Sequence, residues 1–457
     1  MLSLKKCLCI LLLLVSAAAS AQQSVTLRQI LSSTDQRAPQ LITDSAAIKI
    51  RQAQADEVHD AWLQNLKLSY QADEGTSNNV IGAYFGFGMV PSSSSGVHST
   101  NLTTAASYNL GIAAFDWEVY NFGAYGAANK VANANVTVEQ NNFAESKYVL
   151  QSYTIGTYLQ LLRLQELLTI QARDIQRNLQ IRNSIESLAK SGVRPGVDTS
   201  IAEAELSKSR LNYIEVADQL KQVQLQLSSV TGMPYQTIIA DTTTSDQLID
   251  QPVALFGLDT ANHPLINYYK SVYQTNLLQE DAVKKQYNPK ISLEGAAWDR
   301  GSSINSAGQY GSFGSGFAFD RDNYLVGVGI SYNLFDLRRR HLKPNTQKAA
   351  TDYAARKLQE QQQLLAVSAN QAEVELTTAQ QRLKEIPDEL RAASSGYRQK
   401  LSLYRSGLTD ILELSQALDI LYRAETDEAQ AKYDYADALF QKAITGNQLN
   451  QVLNILK

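Results

Sequence analysis

Apolar residues recur every three and four positions over long stretches of this chain, which is the period of an amphipathic helix. The longest stretch, residues 127–190, contains no proline. Its apolar positions keep the spacing of a coiled-coil seam: Leu161, Leu164, Leu168, Ala172, Ile175 and Leu179. The pattern predicts one very long helix, and taken alone it favours a cytosolic coiled coil.

Two further segments carry a stricter heptad pattern. In the first, predicted as a helix at 198–230, alternate spacings of four and three hold apolar or small residues: Ala202, Leu206, Ser209, Tyr213, Val216, Leu220, Val223 and Leu227. In the second, alanine recurs every seven residues: Ala417, Ala424, Ala431 and Ala438. Small residues at this period let helices approach closely and supercoil. An amphipathic helix on an ordinary core is the alternative, but the heptad in both segments favours helices packed side by side into a wall.

Shorter segments alternate apolar and polar residues, which is the period of a strand. The clearest one places six apolar residues on one side: Tyr324, Val326, Val328, Ile330, Tyr332 and Leu334. The same alternation predicts strands at 63–73 and 103–122, and another that includes Ile291. Strands of about ten residues suit a tilted membrane crossing, in which the apolar side faces lipid. A soluble sandwich would show similar alternation.

The chain is built from two copies of one unit. Four short motifs of the first half recur in order in the second: 38–41 matches 263–266, 65–68 matches 290–293, 119–122 matches 332–335, and 191–193 matches 406–408. Each copy reads helix, strand, loop, strand, long helix, turn, helix. We therefore divide the chain into a signal peptide, a first repeat, a linker and a second repeat: 1–21, 22–232, 233–262 and 263–457.

Residues 1–21 have the pattern of a secretory signal peptide, with a basic start, an apolar run and the cleavage motif Ala19-Ser20-Ala21. The mature chain is expected to begin at Gln22. Both cysteines, Cys7 and Cys9, lie in the segment to be removed. We therefore expect no disulfide, no thiol chemistry and no cysteine metal site in the mature protein, and no lipid anchor.

Composition argues against catalysis and against nucleic-acid binding. The formal net charge of −4 offers no general affinity for nucleic acid. The four histidines have no ligand spacing, and the sequence contains no glycine-rich phosphate loop, nucleophile elbow or H-E-x-x-H motif. We expect no catalytic residues, no cofactor and no metal site, so an enzyme is the least favoured class of function.

After the signal peptide the sequence has no apolar run of about 18 residues, so we expect no membrane-spanning helix. Any membrane crossing would use the strands. Backbone groups must be paired in hydrocarbon, so membrane strands close into barrels, and bacterial barrels have at least about eight strands. Four strands per chain therefore predict an oligomer if the chain spans a membrane.

The order of these features resembles the TolC-like family of outer-membrane efflux proteins, the outer membrane factors. Three motifs carry the resemblance: Asn288-Pro289-Lys290-Ile291 opens a strand, Val328 to Asp336 closes one, and Ser406 to Glu413 forms a helix turn. The resemblance implies a mostly helical fold with a membrane β-barrel. A homotrimer would share one twelve-stranded barrel, while long coiled-coil helical hairpins would form a periplasmic α-barrel.

The resemblance also implies a function. The chain would be the outer-membrane channel, or exit duct, of a tripartite efflux or type I secretion system, and a passive conduit. The implied partners are a periplasmic adaptor (membrane fusion) protein, an inner-membrane pump reached through the adaptor, and outer-membrane lipid. The linker would form a belt around the middle of the tunnel. Cargo is left open among drugs, metal ions, siderophores and polypeptides, and a structural or adhesive trimeric coiled coil is the alternative function.

The resemblance places a periplasmic gate at Asp410, Glu413, Tyr404 and Asp198. Asp410 and Glu413 stand three residues apart at a helix start, where carboxylates also simply cap the positive end of the helix dipole. In a trimer the pair would form a carboxylate ring that attracts cations. Tyr404 would hold the gate by contacting Asp198. The arginine that helps lock the mouth in relatives has no counterpart here, and Arg194 is the candidate substitute.

The resemblance places adaptor docking at two tips, Gly192-Val193 and Gly407-Leu408. Glycine at such turns also serves the ordinary purpose of supplying a positive φ. Pro387 lies inside the second long helix, predicted at 344–405, and we expect it to kink that helix or break its hydrogen-bond ladder.

Overall fold

The structure is a computed structural model that describes residues 24–62, 65–79, 97, 99–192, 195–250 and 262–456. The predicted signal peptide with both cysteines lies outside the described residues, and so do Val193, Arg194 and the part of the linker at 251–261. Among the described helices, none combines the length and the apolar character needed to cross a membrane.

The described residues of the first half form four helices and two strands. They are α1 (Leu27–Arg37), α2 (Pro39–Asp60), β1 (Asn65–Gly75), β2 (Ala106–Tyr120), α3 (Ala124–Lys190) and α4 (Gly196–Thr231). The predicted long helix is α3, which begins three residues earlier than expected. The predicted heptad helix is α4, and it begins and ends within two residues of its expected bounds.

The second half contains a short 3-10 helix at Tyr235–Thr237 and then further helices and strands. They are α5 (Thr243–Asp250), α6 (Pro264–Lys285), β3 (Lys290–Ser302), β4 (Arg321–Ser331), α7 (Asp336–Arg405), α8 (Ile411–Thr445) and α9 (Leu449–Leu453). The mostly helical fold with a small sheet is confirmed. A second 3-10 helix, Phe313–Phe317, lies between β3 and β4.

Pro387 does not interrupt the second long helix, and a kink at this residue stays a prediction. Helix α7 continues through Pro387 without a break, and it begins at Asp336 instead of residue 344. Proline removes one N–H from the ladder and freezes one dihedral. Pro387 is exposed, whereas the preceding Ile386 is buried. The helix therefore lacks one ladder hydrogen bond at this position, while packing of the buried neighbour Ile386 favours a continuous helix.

The chain divides into two compact units, and each unit draws residues from both halves of the sequence. The helical unit is formed by the described residues within Met1–Ile50, Thr137–Tyr273 and Ala354–Lys457. Its core includes fully buried apolar residues from α1, α3, α4 and α8: Ile30, Leu161, Leu164, Leu227 and Phe440. The Tyr158 hydroxyl donates to the carbonyl of Val25 at 2.9 Å and accepts from the N–H of Asp241 at 3.1 Å.

The heptad residues of α4 and α8 lie on the buried side of each helix. In α4 the buried members are Ala202, Leu206, Ser209, Val223 and Leu227. In α8 three of the four predicted alanines are buried: Ala424, Ala431 and Ala438. The sequence pattern therefore identified the packed face of both helices.

The sheet unit comprises Arg51–Val136 and Gln274–Tyr353. Its four strands are antiparallel and lie in the order β1-β2-β3-β4. Asn65 pairs with Asp116, Tyr120 with Ile291, and Lys290 with Ser331. The start of β1, the end of β2, the start of β3 and the end of β4 thus share one end of the sheet, which we call the helix-proximal end.

Candidate functional site

The turn between α7 and α8 is built on a glycine in the left-handed region. Gly407 has φ +81°. Its N–H donates to Tyr404 O at 3.1 Å, and the N–H of Leu408 donates to Leu403 O at 2.9 Å. These two bonds form a Schellman motif, which ends a helix by satisfying its last carbonyls. Gly407 therefore has the ordinary role of a glycine that supplies a positive φ at a turn. The side chain of Leu408 is exposed.

The turn after α3 uses the same device. Gly192 has φ +73°, and its N–H donates to Ala189 O at 3.0 Å. A side chain added at Gly192 or at Gly407 would have nothing within 4 Å of its Cβ. The space beside the backbone of both glycines is therefore free of other described atoms of the chain. Val193 lies outside the described residues.

Asp410 caps the N-terminus of α8. Its side chain accepts a hydrogen bond from the backbone N–H of Glu413 at 2.9 Å. A cap of this kind satisfies an otherwise unpaired helical donor and places negative charge at the positive end of the helix dipole. Asp410 therefore has the helix-capping role that the sequence also allowed, and its carboxylate is exposed.

Glu413 is held by two donors. Lys400 Nζ lies 2.6 Å from Glu413 Oε2, and the hydroxyl of Thr409 donates to the same oxygen. The hydrogen bond from Lys400 is the main cause that lowers the pKa of Glu413, with that from Thr409 second. Glu413 is therefore ionised near neutral pH. Sequence reasoning missed Lys400, because a partner thirteen positions away across a turn has no helical spacing.

Tyr404 and Asp198 meet in a buried position. The Tyr404 hydroxyl donates to Asp198 Oδ2 at 3.4 Å. Tyr404 is 2% exposed and Asp198 is 8% exposed. The tyrosine ring packs in a small apolar cluster formed by α3, α4, α7 and α8: Ile181, Ile185, Ala202, Ile411, Leu414 and Leu418. The structure thus joins these two predicted gate residues, and it links the α3–α4 hairpin to the α7–α8 hairpin.

A second polar cluster lies between α3 and α8, and the sequence analysis did not identify it. The guanidinium of Arg177 donates to both carboxylate oxygens of Glu425, at 2.8 and 2.6 Å. Asp174, one helical turn away from Arg177, is buried and accepts from the Asn178 amide at 3.1 Å. Burial is the main cause that raises the pKa of Asp174 to about 6, against a smaller lowering by Arg177.

One side of the sheet is apolar, and its large side chains are exposed. Directly paired residues of neighbouring strands point to the same side. Leu66 pairs with Phe115, Phe115 with Gly295, and Gly295 with Val326. Extending this register along the strands defines the apolar face: Leu66, Leu68, Tyr70, Phe115, Trp117, Ile291, Leu293, Tyr324, Val326, Val328 and Ile330. Val328 is 70% exposed and Tyr324 is 84% exposed.

The opposite side of the sheet carries most of the polar side chains. The same register places these residues there: Asn65, Lys67, Ser69, Gln71, Asp116, Glu118, Glu294, Arg300 and Asn323. Glu118 and Lys290 form an ion pair of 2.7 Å near the helix-proximal end. An exposed apolar face of this size on one side of a sheet is typical of a surface that contacts lipid or another protein.

A sequence model described as outer membrane efflux protein matches residues 30–233 and 276–441, which is more than half of the chain. No curated protein gave a match in a sequence search.

Solved structures of outer membrane channels match almost the whole chain. The channel OprN gives a TM-score of 0.73 at 18% identity, covering 93% of this chain and 90% of that one. VceC from Vibrio cholerae gives 0.72 at 14% identity, covering 92% and 96%. CmeC from Campylobacter jejuni gives 0.71 at 14% identity, covering 93% and 86%. At these identities the likeness establishes the fold.

Proposed function

Since the chain belongs to the outer membrane efflux protein family and is thus an outer membrane protein, we propose that it is the exit duct of a tripartite efflux or type I secretion system. In this role it is a passive conduit from the periplasm to the exterior. Its partners are a periplasmic adaptor protein and, through the adaptor, an inner-membrane pump. The resemblance of its tips to the adaptor-binding tips of the family supports this assignment.

The observation that carries the proposal is the division of the sheet into an exposed apolar face and a polar face. Lipid on the apolar side and water on the polar side would satisfy both faces at once. The edge strands β1 and β4 each pair with one neighbour within the chain. An exposed edge cannot persist in hydrocarbon, because its backbone groups would stay unpaired. Three chains that join β4 of one to β1 of the next would close a barrel of twelve strands.

The helices supply the periplasmic part of the duct. Heptad faces on α4 and α8 and the long helices α3 and α7 support coiled-coil hairpins that pack laterally into an α-barrel. We assign the two structural repeats to 22–232 and 263–457, and the linker 233–262 to an equatorial belt. The gate consists of Asp410, Glu413, Tyr404 and Asp198, positioned beside the α7–α8 turn. Its opening would be set by contacts between the hairpins.

Membrane fractionation with bilayer recording tests the proposal. The full chain should appear in the outer membrane as a heat-modifiable trimer and give discrete conductance after reconstitution. Deleting its gene should abolish export by the cognate pump. Recovery in the soluble periplasm would overturn the channel, and a surface trimer without conductance would favour the adhesive coiled coil.

Adaptor docking is tested at Gly407. Leucine there should abolish export while trimers and conductance persist. Asparagine tolerates a positive φ better than most residues, so Gly407→Asn keeps the turn but still adds a side chain to the tip. A docking role predicts that Gly407→Asn also impairs export. Normal export by Gly407→Asn, or loss of the trimer in Gly407→Leu, would assign Gly407 to the turn alone.

A further inference from the structure

A dense run of basic residues opens α7, immediately after the last strand. Residues 338–340 are three consecutive arginines, followed by His341 and Lys343. Between Asp336 and Asp352 the sequence contains no acidic residue. The chain as a whole has a formal net charge of −4, so this segment is a local concentration of positive charge. It belongs neither to the proposed gate nor to the docking tips.

The cationic side chains of this run are exposed. Arg339 pairs with Asp336 at 3.3 Å, and its side chain is still 67% exposed. Within the described ranges, this is the one ion pair that involves the run. Three other acids of the sheet unit form ion pairs with lysines outside the run: Glu118 with Lys290, Glu280 with Lys284, and Asp281 with Lys285. Arg338 and Arg340 are therefore available to an external anion.

The run lies beside exposed aromatic and apolar residues at the helix-proximal end of the sheet. Four residues after the end of β4, Phe335 is 89% exposed, and it is flanked by exposed Leu334 and Leu337. More exposed aromatic residues stand where the strands meet the helices at this end: Trp62, Tyr120, Phe122 and Tyr332. Aromatic girdles mark the interface where a membrane strand leaves hydrocarbon. The arginines follow these aromatic residues on the side away from the strands, which would be the depth of the lipid headgroups if the sheet spans the membrane.

We propose that Arg338 and Arg340, together with Phe335, form a binding site for the headgroups of anionic phospholipids in the inner leaflet of the outer membrane. The proposal rests on the proposed function, because it requires the sheet to span the membrane. Guanidinium groups bind phosphate oxygens through paired hydrogen bonds. Basic clusters directly beside a membrane segment bind anionic lipid, and an adjacent apolar side chain enters the acyl boundary. This site would fix the height of the barrel in the membrane.

The test compares nanodiscs of phosphatidylcholine with nanodiscs that also contain phosphatidylglycerol, and it uses the full-length trimer. Lipid that remains bound is quantified by native mass spectrometry after release from the disc. The variant is Arg338→Gln with Arg340→Gln. The matched control is Lys348→Gln with Arg356→Gln, which removes two exposed positive charges further along the same helix.

Wild type and control should retain phosphatidylglycerol in preference to phosphatidylcholine. The Arg338→Gln, Arg340→Gln variant should bind phosphatidylglycerol about 25-fold more weakly, because each arginine near an anionic surface contributes roughly a fivefold factor. Phe335→Ser should weaken the retention of both lipids. An equal loss in the control, or an unchanged preference in the double arginine variant, would overturn the site.

Two further outcomes separate this site from the channel itself. Wild type that inserts into phosphatidylcholine and conducts, yet shows no preference for phosphatidylglycerol, would overturn the lipid site alone. Wild type that fails to insert at all would overturn the proposed channel and the lipid site with it. Loss of the trimer by the double arginine variant in phosphatidylcholine would assign the arginines to contacts between subunits and also overturn the site.

Discussion

Lys400 Nζ lies 2.6 Å from Glu413 Oε2, which ties the start of α8 back to the last turns of α7. This ion pair changes the charge of the candidate gate. Asp410 and Glu413 contribute two carboxylates, and Lys400 contributes one ammonium group in contact with Glu413. If these residues face the tunnel mouth, Asp410, Glu413 and Lys400 together would give each chain one net negative charge there, and we expect Lys400 to influence selectivity.

The hydrogen bond between Tyr404 and Asp198 is expected to hold the two hairpins together. Tyr404→Phe removes the hydroxyl but keeps the ring in its apolar cluster. We expect a higher open-state conductance and a loss of about 1 kcal/mol in the free energy of unfolding. Bilayer recording measures the first and thermal denaturation the second. Tyr397→Phe, two helical turns earlier on α7, is the control and should leave conductance unchanged. If Tyr404→Phe and Tyr397→Phe gave the same conductance, the Tyr404 hydroxyl would have no role in the gate and Tyr404 would act only through packing.

The apolar face of the sheet predicts opposite results for neighbouring positions of β4. Val328 lies on that face, so Val328→Arg should cost about 2 to 4 kcal/mol near the membrane midplane and reduce the heat-modifiable trimer in the outer membrane. Gly327 lies on the polar face, where it pairs with Glu294 and has open space around its Cβ. Gly327→Arg should therefore assemble.

Gly329 also lies on the polar face of β4, but it would be a poorer control, because a Cβ there would lie 2.9 Å from Glu294 Oε1. Normal assembly of Val328→Arg together with failure of Gly327→Arg would mean that the polar face contacts lipid. Trimer yield on unheated gels, measured at equal expression, shows which face of the sheet contacts lipid.

Much of the fold could be predicted because apolar residues recur with a regular period along its longest helices and its strands. Helix α3 and the buried stripe of α4 follow from heptads that no proline interrupts, and the apolar face of β4 follows from strict alternation. Helix α1 was not predicted, although Thr26 and Gln29 form a capping box at its start. With only 11 residues, it offers few periods to recognise.

The polar contacts of the helical unit could not be predicted in the same way. Arg177 and Glu425 are 248 positions apart, and only the packing of α3 against α8 brings them together. The same holds for Asp174, whose burial depends on neighbours from distant parts of the chain. Local spacing identifies which face of a helix is buried, but the partner of a buried charge is decided by tertiary contacts.

Asp174 predicts a pH-dependent stability. Its pKa is raised from 3.8 to about 6, mainly by burial and further by the charges of Asp419 and Glu425. The native chain therefore binds more protons than the unfolded chain between these values. Stability contributed by the protonated carboxyl is complete below about 3.8 and is lost as the pH rises through about 6, an amount of about 3 kcal/mol.

Asp174→Asn should remove this loss of stability at high pH, since the amide oxygen of the new side chain can still accept a hydrogen bond from Asn178. We expect the variant to unfold at a higher temperature than wild type at about pH 8, and to differ little at about pH 4. Asp218→Asn, at an exposed position of α4, is the control. A stabilisation of the same size at both pH values would show that charge on Asp174 is not its cause.

The carboxylates of the candidate gate are tested by changing charge without removing the helix cap. Asparagine caps helices about as well as aspartate, so Asp410→Asn with Glu413→Gln preserves the start of α8. If the pair faces the tunnel mouth, the double variant should lower the permeability ratio of cations to anions several-fold and weaken block by multivalent cations. Reversal potentials across a salt gradient measure the ratio.

Lys400→Gln should act in the opposite direction, because it removes the ammonium group that offsets Glu413. Its conductance should therefore become more selective for cations, and block by multivalent cations should strengthen. Screening gives a further check, since raising the ionic strength should reduce the difference between the two variants when the charges are exposed to the tunnel. Wild-type selectivity in both variants would assign Asp410 and Glu413 to capping α8 and exclude them from the gate.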